Sequence, residues 1–594
     1  MSYRRKKLLA LFFAMALSMT AVAGCTGIKS STGNVVSSET ETNAEETSAQ
    51  SEAGTFSSAD MFTERDLAGT YEESRAVYVT LSDDGIAGET DGVVIDGQMV
   101  TITAEGTYIF SGTLSEGQIV VDADNAKVQI VFDNVDITCA SSAAVYVKSA
   151  EKVFVTLAEG SQNTLRNTDE YVAIDDNNID AVIFAKSDLT LNGTGSLTII
   201  SAEGHGIVSK DDLKIIGGTY DITAAGHALS GKDSVRIADG TFILTAEKDG
   251  IHAENADDEE KGYIYIADGD FTITSDGDGM DASNIVQIED GTLDITAGGG
   301  SANSLKTHES DVPGGPGGGM PQNGEKLDGE SMPQMGEKPD GENMPQDTTT
   351  DESGTSTKGI KAGGGMYLNG GTYQIDSADD SIHSNANITI ADGTYTLATG
   401  DDGVHADDAL IVNGGTITVT ESYEGLEGLA VTINDGTIDI TASDDGINTA
   451  GEKMELNGGY IHILAGGDGV DSNGDLTING GEIYIDGPSD NGNSAIDYGD
   501  RSSAYVNGGT LVAIGSSGMA EVMSDSSKQK VLMVKLGEQM EAGNVVLTDS
   551  EGNVIVSYTA LKTYDCVIIS TAEVESGATY TLTTSGTTTE VTAE

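Results

Sequence analysis

Between residues 366 and 486 one phrase recurs at a nearly constant step, and that step restricts the fold more than any other property of the chain. The phrase is a Gly, usually followed by Thr, then alternating apolar residues, an acidic pair, a small residue, an aliphatic residue and a polar one. Gly371-Thr372-Tyr373-Gln374-Ile375 leads to Asp379-Asp380-Ser381-Ile382-His383, and Gly393-Thr394-Tyr395-Thr396-Leu397 leads to Asp401-Asp402-Gly403-Val404-His405. Gly436-Thr437-Ile438-Asp439-Ile440 leads to Asp444-Asp445-Gly446-Ile447-Asn448. The anchoring glycines stand at 371, 393, 415, 436, 459 and 481, so the step is 22, 22, 21, 23 and 22. Fixed self-similarity of this length marks a solenoid, in which each unit buries its apolar face only against its neighbours.

The unit is built from strands. After each anchor the apolar residues fall at every second position, as in Tyr373/Ile375, Ile417/Val419 and Ile483/Ile485, which is strand periodicity. Turns read Asn413-Gly414-Gly415, Asn457-Gly458-Gly459 and Asp392-Gly393, residues that tolerate positive φ. A path of ~70 Å, from about 22 residues at ~3.3 Å each, makes one coil of three short strands and three corners. The expected fold class is therefore all-β: a right-handed parallel β-helix with coils ~4.8 Å apart. In each corner the aliphatic residue is expected to point inward and the acidic residues to point to solvent.

The remaining chain divides around this solenoid. Residues 1–24 carry Arg4-Arg5-Lys6-Lys7, an apolar run and then small residues before Cys25, the pattern of a secretory signal. The end of that run resembles a bacterial lipobox, with Cys25 as the lipidated first residue. The expected location is the cell surface, lipid-anchored to the bacterial membrane. Residues 25–60 are polar and read as a flexible tether, 61–515 as the β-helix, and 516–594 as a small C-terminal β cap. Within the helix, residues 308–357 break the repeat with Gly, Pro and Met, repeating Met320-Pro321-Gln322 at 332 and 344. This stretch is expected to be a disordered insertion. Lys358-Gly359-Ile360-Lys361 resumes the corner phrase. With 97 acidic against 29 basic residues, a formal charge of −68, the surface repels nucleic acid and anionic membranes and favours cations. Cys139 and Cys566 are read as buried apolar residues, and the chain as a monomer.

Gly106-Thr107-Tyr108-Ile109-Phe110-Ser111-Gly112, Lys210-Asp211-Asp212-Leu213-Lys214-Ile215, the Asp-Gly-aliphatic-His corners and the Pro/Gly/Met insertion carry a resemblance. Over residues 77–590 the chain resembles the clostridial surface lipoproteins called carbohydrate-binding domain-containing proteins. That resemblance implies a pectate-lyase-like β-helix that binds plant cell-wall polysaccharide, cellulose or acidic pectic chains, with calcium.

The chemistry is expected in the corner ladder. Its first position reads His205, His227, Asp249, Asp278, Asp380, Asp402, Glu424, Asp445 and Asp468. Carboxylates stacked ~4.8 Å apart repel by ~1 kcal/mol in water and more when desolvated. They are tolerated if solvated or if cations sit between them, and calcium suits such oxygen-only sites. The metal candidates are Asp379, Asp380, Asp401, Asp402, Asp444 and Asp445, then Asp276, Asp278 and Asp281. His252, His383 and His405 hold the last corner position, where zinc is an alternative. His383, His405, Tyr423 and Tyr498 are the candidate ligand-binding residues, and no catalytic residue is assigned. The functional expectation is calcium-assisted, non-catalytic binding of cellulose or a pectin-like glycan. A polysaccharide lyase on the same fold is the alternative, and a structural spike the third reading. Elimination would need an Arg or Lys base beside the acids, and Arg65, Arg75, Arg166, Arg236 and Arg501 are not placed so in sequence.

Overall fold

The computed structural model describes residues 55–88, 90–306, 356–499 and 501–593. The signal sequence, Cys25, the tether as far as residue 54 and the insertion from 307 to 355 lie outside these residues. Forty-five of the described strands join one continuous sheet, paired coil to coil and almost wholly parallel. This is the expected parallel β-helix.

Three columns of strands run along it. The long face carries six-residue strands such as Thr372–Ser377 and Thr394–Thr399, paired residue for residue. Their alternating burial sends Tyr373 and Ile375 inward, as the period-two pattern requires. The middle face carries Met366–Leu368 and Ile388–Ile390. The short face, directly after the acidic corner, carries Ile360–Ala362, Ile382–Ser384 and the start of Val404–Val412.

Inward residues at one register position stack on each other from coil to coil. On the long face Leu197, Tyr220, Phe242, Phe271 and Leu293 form one such column. The rings of Tyr220 and Phe242 stack at 5.2 Å, those of Phe242 and Phe271 at 4.6 Å, and those of Tyr373 and Tyr395 at 4.5 Å. The buried tyrosines keep their hydroxyls satisfied at the corner: Tyr373 donates to the Gly370 carbonyl at 2.8 Å and Tyr395 to that of Asp392 at 2.8 Å.

The turns before the long face need left-handed backbone. Gly371 and Gly393 have φ of +99° and +123°, which only Gly adopts without strain. The Asn that opens these turns, in Asn-Gly-Gly or Asn-Asp-Gly, has a further task. Asn434 donates to Asn413, Asn457 to Asn434, Asn479 to Asn457 and Asn507 to Asn479, all at 2.8–2.9 Å. Each amide spends its donor on one neighbour and its acceptor on the other, so the ladder pins register along that edge.

Both ends of the solenoid are covered. At the N-terminal side Val77–Leu81 pairs parallel with Gly106–Leu114. Ahead of it the chain already docks from Phe56, which corrects a tether running to residue 60. The Phe56 amide donates to Gln287 at 2.6 Å, and its ring lies 4.3 Å from that of Tyr263. The helix Glu64–Ala68 follows, with a Thr63/Asp66 capping box, and buried Asp66 pairs with Lys152 Nζ at 2.6 Å. These segments have the apolar and capping residues to gain by packing, so a polar-tract reading fails there.

At the C-terminal side Tyr564–Ser570 adds antiparallel to Thr510–Gly515, and Val531–Met540 adds antiparallel to Tyr564–Ser570. A four-stranded antiparallel sheet of Gly543–Thr548, Val554–Ala560, Thr579–Thr583 and Thr588–Thr592 completes the cap. The open sheet edge is thus paired rather than exposed. Cys139 and Cys566 are buried and free. Among the described residues no helix is long and apolar enough to cross a membrane.

The inward column sets the expected response to truncation. Ile440 is fully buried, whereas Ile243 faces out with 48% of its surface exposed. Ile440→Ala should cost about 2–5 kcal/mol in denaturant unfolding, and Ile243→Ala should stay within about 0.5 kcal/mol.

Candidate functional site

The acidic corner forms two side-chain columns along the short face. The first runs His205, His227, Asp249, Asp278, Lys358, Asp380, Asp402, Glu424, Asp445 and Asp468. The second, three residues further on in each coil, runs His252, Asp281, Lys361, His383, His405, Glu427, Asn448, Asp471 and Asp497, each in register with the next. Between the columns stand a small residue and the inward aliphatic. The small residue is required by close approach: a Cβ on Gly425 would lie 2.4 Å from the Gly446 carbonyl oxygen.

The first column is a hydrogen-bonded ladder, which was not foreseen. At most rungs the backbone N–H donates to the side chain of the rung before. His227 donates to His205 Nδ1 at 2.8 Å, Asp278 to Asp249 at 3.0 Å and Lys358 to Asp278 at 2.6 Å. Further along, Asp402 donates to Asp380 and Glu424 to Asp402, each at 3.1 Å, and Asp468 to Asp445 at 2.6 Å. A short side chain with an acceptor therefore belongs here, and Asp or His supplies it. Lys358 has no acceptor, so the N–H of Asp380 turns to the adjacent Asp379 at 2.9 Å. That exception accounts for one member of an acidic doublet.

This stacking also overturns the solvent-facing expectation for these acids. Asp278 is 1% exposed and Asp380 2%, and Asp379, Asp401 and Asp402 are buried too. Each rung covers the next, so the carboxylates are desolvated rather than washed by water.

In the centre the chain supplies neutralising charge of its own, although burial and repulsion from Asp402 and Asp380 still raise the Asp401 pKa to about 9. Lys358 Nζ lies 2.7 Å from Asp380 and 2.8 Å from Asp379. Lys306, returning from the turn at Ser301–Asn303, places its Nζ 2.7 Å from Asp401 and 3.0 Å from Asp379. Burial alone would raise the Asp380 pKa, yet Lys358 and His383 hold it well below the carboxylate range. His383 Nδ1 lies 2.9 Å from Asp380. His405 Nδ1 lies 3.2 Å from Asp402 and 3.3 Å from Glu427. Burial would lower the His405 pKa, but these acids and Asp380 lift it to about 10. The candidates Asp379, Asp380, Asp401 and Asp402 do come together, around ammonium and imidazole groups. The 22-residue spacing from Lys358 to Asp380 was the available signal for the cationic rung; Lys306 stands off the repeat and left none.

Asp276, Asp278 and Asp281 do not converge. Asp276 is exposed in a side cleft. Lys361 Nζ lies 3.5 Å from Asp278 and 3.3 Å from Asp281.

Beyond His405 the columns turn acidic. Asp445, Asp468 and Asp471 bring oxygens within 4.8 Å of one another, and Asp444 lies alongside, against Gly467. Among the described residues no Lys or Arg forms an ion pair with these four acids. Burial, then repulsion from Asp444 and Asp468, lifts the Asp445 pKa to about 8. Burial likewise lifts Asp468 to about 7, against the Ser494 amide, and Asp471 to about 6 with help from Asp497. Nearby, Asn448 Oδ1 is buried without a hydrogen-bond partner, while its amide nitrogen donates to Glu424 at 2.9 Å. An all-oxygen donor set with an orphaned carbonyl fits a calcium ion. Neutral histidines are not part of this cluster, so zinc fits it less well.

Two clefts open where the long face meets this corner, one on each side of Lys306. One, of about 370 Å³, is lined by Asp276, Asn303, Leu305, Thr357 and Asp379. The other, of about 390 Å³, is lined by Thr399, Glu421, Tyr423, Asp444 and Asn493. Tyr423 thus stands in a cleft wall beside an acid of the ladder. Tyr498 is half-buried and donates its hydroxyl to the Val522 carbonyl at 2.7 Å, a packing role toward the C-terminal cap.

The raised pKa values set a pH dependence. A carboxyl whose folded pKa lies above its unfolded value binds its proton more tightly when folded, so stability falls as pH rises between the two. For Asp445, Asp468 and Asp471 the window runs from about pH 4 to about pH 8. Metal-free protein should melt several degrees lower at pH 8 than at pH 5. Replacing all three by Asn keeps the Oδ1 acceptors and should reduce that difference in calorimetry, the remainder coming from Asp401, Glu424 and Glu427, whose pKa values are raised as well.

The family model described as carbohydrate-binding domain-containing protein matches residues 96–403 and 401–574. A carbohydrate-binding domain-containing protein of Acetivibrio thermocellus is 40% identical over 139 residues, 23% of this chain and 49% of that protein, so the match spans about half of the relative's length. A solved structure, described as the polysaccharide lyase-like protein from C. thermocellum, gadolinium derivative, is 36% identical. It covers 38% of this chain and 92% of its own, with a TM-score of 0.37. With its model matching most of the chain, the family is clear: this protein belongs to the carbohydrate-binding domain-containing proteins.

Proposed function

We propose that this is a cell-surface polysaccharide-binding protein, tethered through a lipid on Cys25, that holds plant cell-wall glycan without cleaving it. The observation that carries the reading is the pair of polar clefts flanking Lys306 on a regular face, in a chain of a carbohydrate-binding family. A sugar chain presents hydroxyls at successive residues. The clefts offer carboxylate, amide and hydroxyl groups to them, with Tyr423 as an aromatic wall. His383 and His405 are largely committed to Asp380 and Asp402, so their part is to shape the corner rather than to meet the sugar first.

Calcium is proposed at Asp445, Asp468 and Asp471, with Asp444 and Asn448 beside them. Its support is the desolvated, unneutralised oxygen set there. An ion among Asp379, Asp380 and Asp401 would have to displace two ammonium groups. The lyase alternative is disfavoured by the basic residues: Arg236 is engaged by Asp212 at 2.9 Å and Arg166 by Asp136, and neither lines the two clefts. Lys306 lines both but, against the lowering effect of burial, is held protonated by Asp401 and Asp379.

The test is retention on insoluble cellulose and on cross-linked polygalacturonate, with product release followed in parallel. The protein should be retained by at least one glycan and release no unsaturated or reducing ends. Tyr423→Ala should weaken retention by roughly tenfold, the size of one stacked aromatic contact. Turnover of either glycan would replace this reading with the lyase. Failure to be retained by any cell-wall polysaccharide would leave the structural spike.

A further inference from the structure

The N-terminal end of the same short face has the opposite charge. Val147 is in register with Ala185, Ala185 with Ser209 and Ser209 with Gly231. The next residue in each coil is a lysine: Lys148, Lys186, Lys210 and Lys232. Their backbones continue the pairing, with Lys186 donating to Val147, Lys210 to Ala185 and Lys232 to Ser209 at 2.8–3.1 Å. Four ammonium side chains therefore leave one line at the ~4.8 Å coil spacing. The line ends with Glu254 in the following coil, since Gly231 pairs with Ala253.

Beside the row lies an open cleft of about 410 Å³. Lys210, Lys232 and Lys248 line it, as do His205, His227 and His252. The three imidazoles stack, at 4.8 Å between His205 and His227 and 4.1 Å between His227 and His252. Lys148 is paired with Asp122 at 2.7 Å and Lys232 with the well-exposed Asp257 at 2.8 Å. Lys186, Lys210 and Lys248 are exposed and have no carboxylate partner among the described residues. Lys210 lies over the Phe184 ring at 5.3 Å. Of the nearby acids, Asp212 is turned to Arg236 and Asp233 to Lys261, Asp211 faces Asp233, and Glu254 and Asp257 stand at the rim of the cleft.

Like charges in register repel, and nothing in the packing of exposed lysines requires them there. In a chain of 97 acidic and 29 basic residues, this row is where the surface can hold an anion. A polymer of uronate sugars carries one carboxylate per residue, at a repeat comparable to the spacing of the coils. We propose that the lysine row and its histidine-floored cleft form a binding site for acidic polysaccharide, with the uronate carboxylates held directly by ammonium groups rather than through a bridging metal. The inference rests on the polysaccharide-binding reading and gives it a second place on the molecule, with a metal-free mode of contact. Each contact is a charge-assisted hydrogen bond near water, so binding is weakened by salt.

The test compares wild type with a Lys186→Gln/Lys210→Gln/Lys248→Gln variant in excess chelator. Affinity electrophoresis is run through polygalacturonate and through its fully methyl-esterified form, with cellulose retention measured alongside. Wild type should be retarded by polygalacturonate in chelator, less so as salt rises, and not by the ester. The variant should lose roughly tenfold or more, as three exposed ion pairs imply, while its cellulose retention and melting temperature stay unchanged. Equal retardation of variant and wild type, equal retardation by the ester, or polygalacturonate binding that disappears with chelator would each overturn the lysine site. Cellulose retention without any polygalacturonate binding would overturn it too and leave the broader reading intact. Loss of all glycan binding would remove both.

Discussion

Each coil of this solenoid presents a backbone N–H at its acidic corner, and at most corners that N–H finds its acceptor on the coil before it. A buried donor left unpaired costs about 1–3 kcal/mol, and the corner repeats ten or more times. Asp and His meet the demand with a short side chain directed along the axis, as between Asp380 and the Asp402 amide. The same choice creates the second constraint. Acceptors that repeat every coil are carboxylates stacked on carboxylates, and burial denies them the screening that makes such stacks tolerable in water.

The chain resolves that constraint differently along one face. At its N-terminal end imidazoles replace carboxylates, and a row of lysines stands beside them. In the centre a whole rung is cationic, Lys358 with Lys361, and Lys306 reaches in from outside the repeat. Toward the C-terminal end Glu424, Glu427, Asp445, Asp468 and Asp471 have their pKa values raised, which leaves protonation or a bound cation as the remaining remedies. A single architectural requirement thus yields a face graded from basic to acidic. Both proposed sites draw on this grading, carboxylates at the basic end and a divalent ion at the acidic end.

Much of this was legible in the sequence because a solenoid writes its fold as a period. The glycine steps predicted the coils, and the alternation after each glycine predicted Tyr373, Ile375 and Ile440 as core. The ladder was legible as a column of positions but not as a hydrogen-bond network. Reading the acids as solvent-facing missed that each one is covered by the next rung. Lys358 was in plain register with Asp380, whereas Lys306 lies outside the repeat and only the chain path brings it to Asp401. The lysine row also hid from a reading tuned to acidic motifs: its members occur at spacings of 38, 24 and 22 residues, so only strand pairing aligns them. Phe56 was taken for tether because a short docked segment has no period to reveal it.

Lysines seated in the middle of the carboxylate ladder and a proposed cation in its C-terminal part can be seen in one experiment. Anomalous diffraction from crystals grown with calcium tests this directly. The account predicts a peak among Asp445, Asp468 and Asp471, with the Lys358 and Lys306 ammonium groups still seated against Asp379, Asp380 and Asp401. A peak among Asp379, Asp380 and Asp401 with the lysines displaced, or no ion at Asp445, Asp468 and Asp471 at saturating calcium, would contradict it.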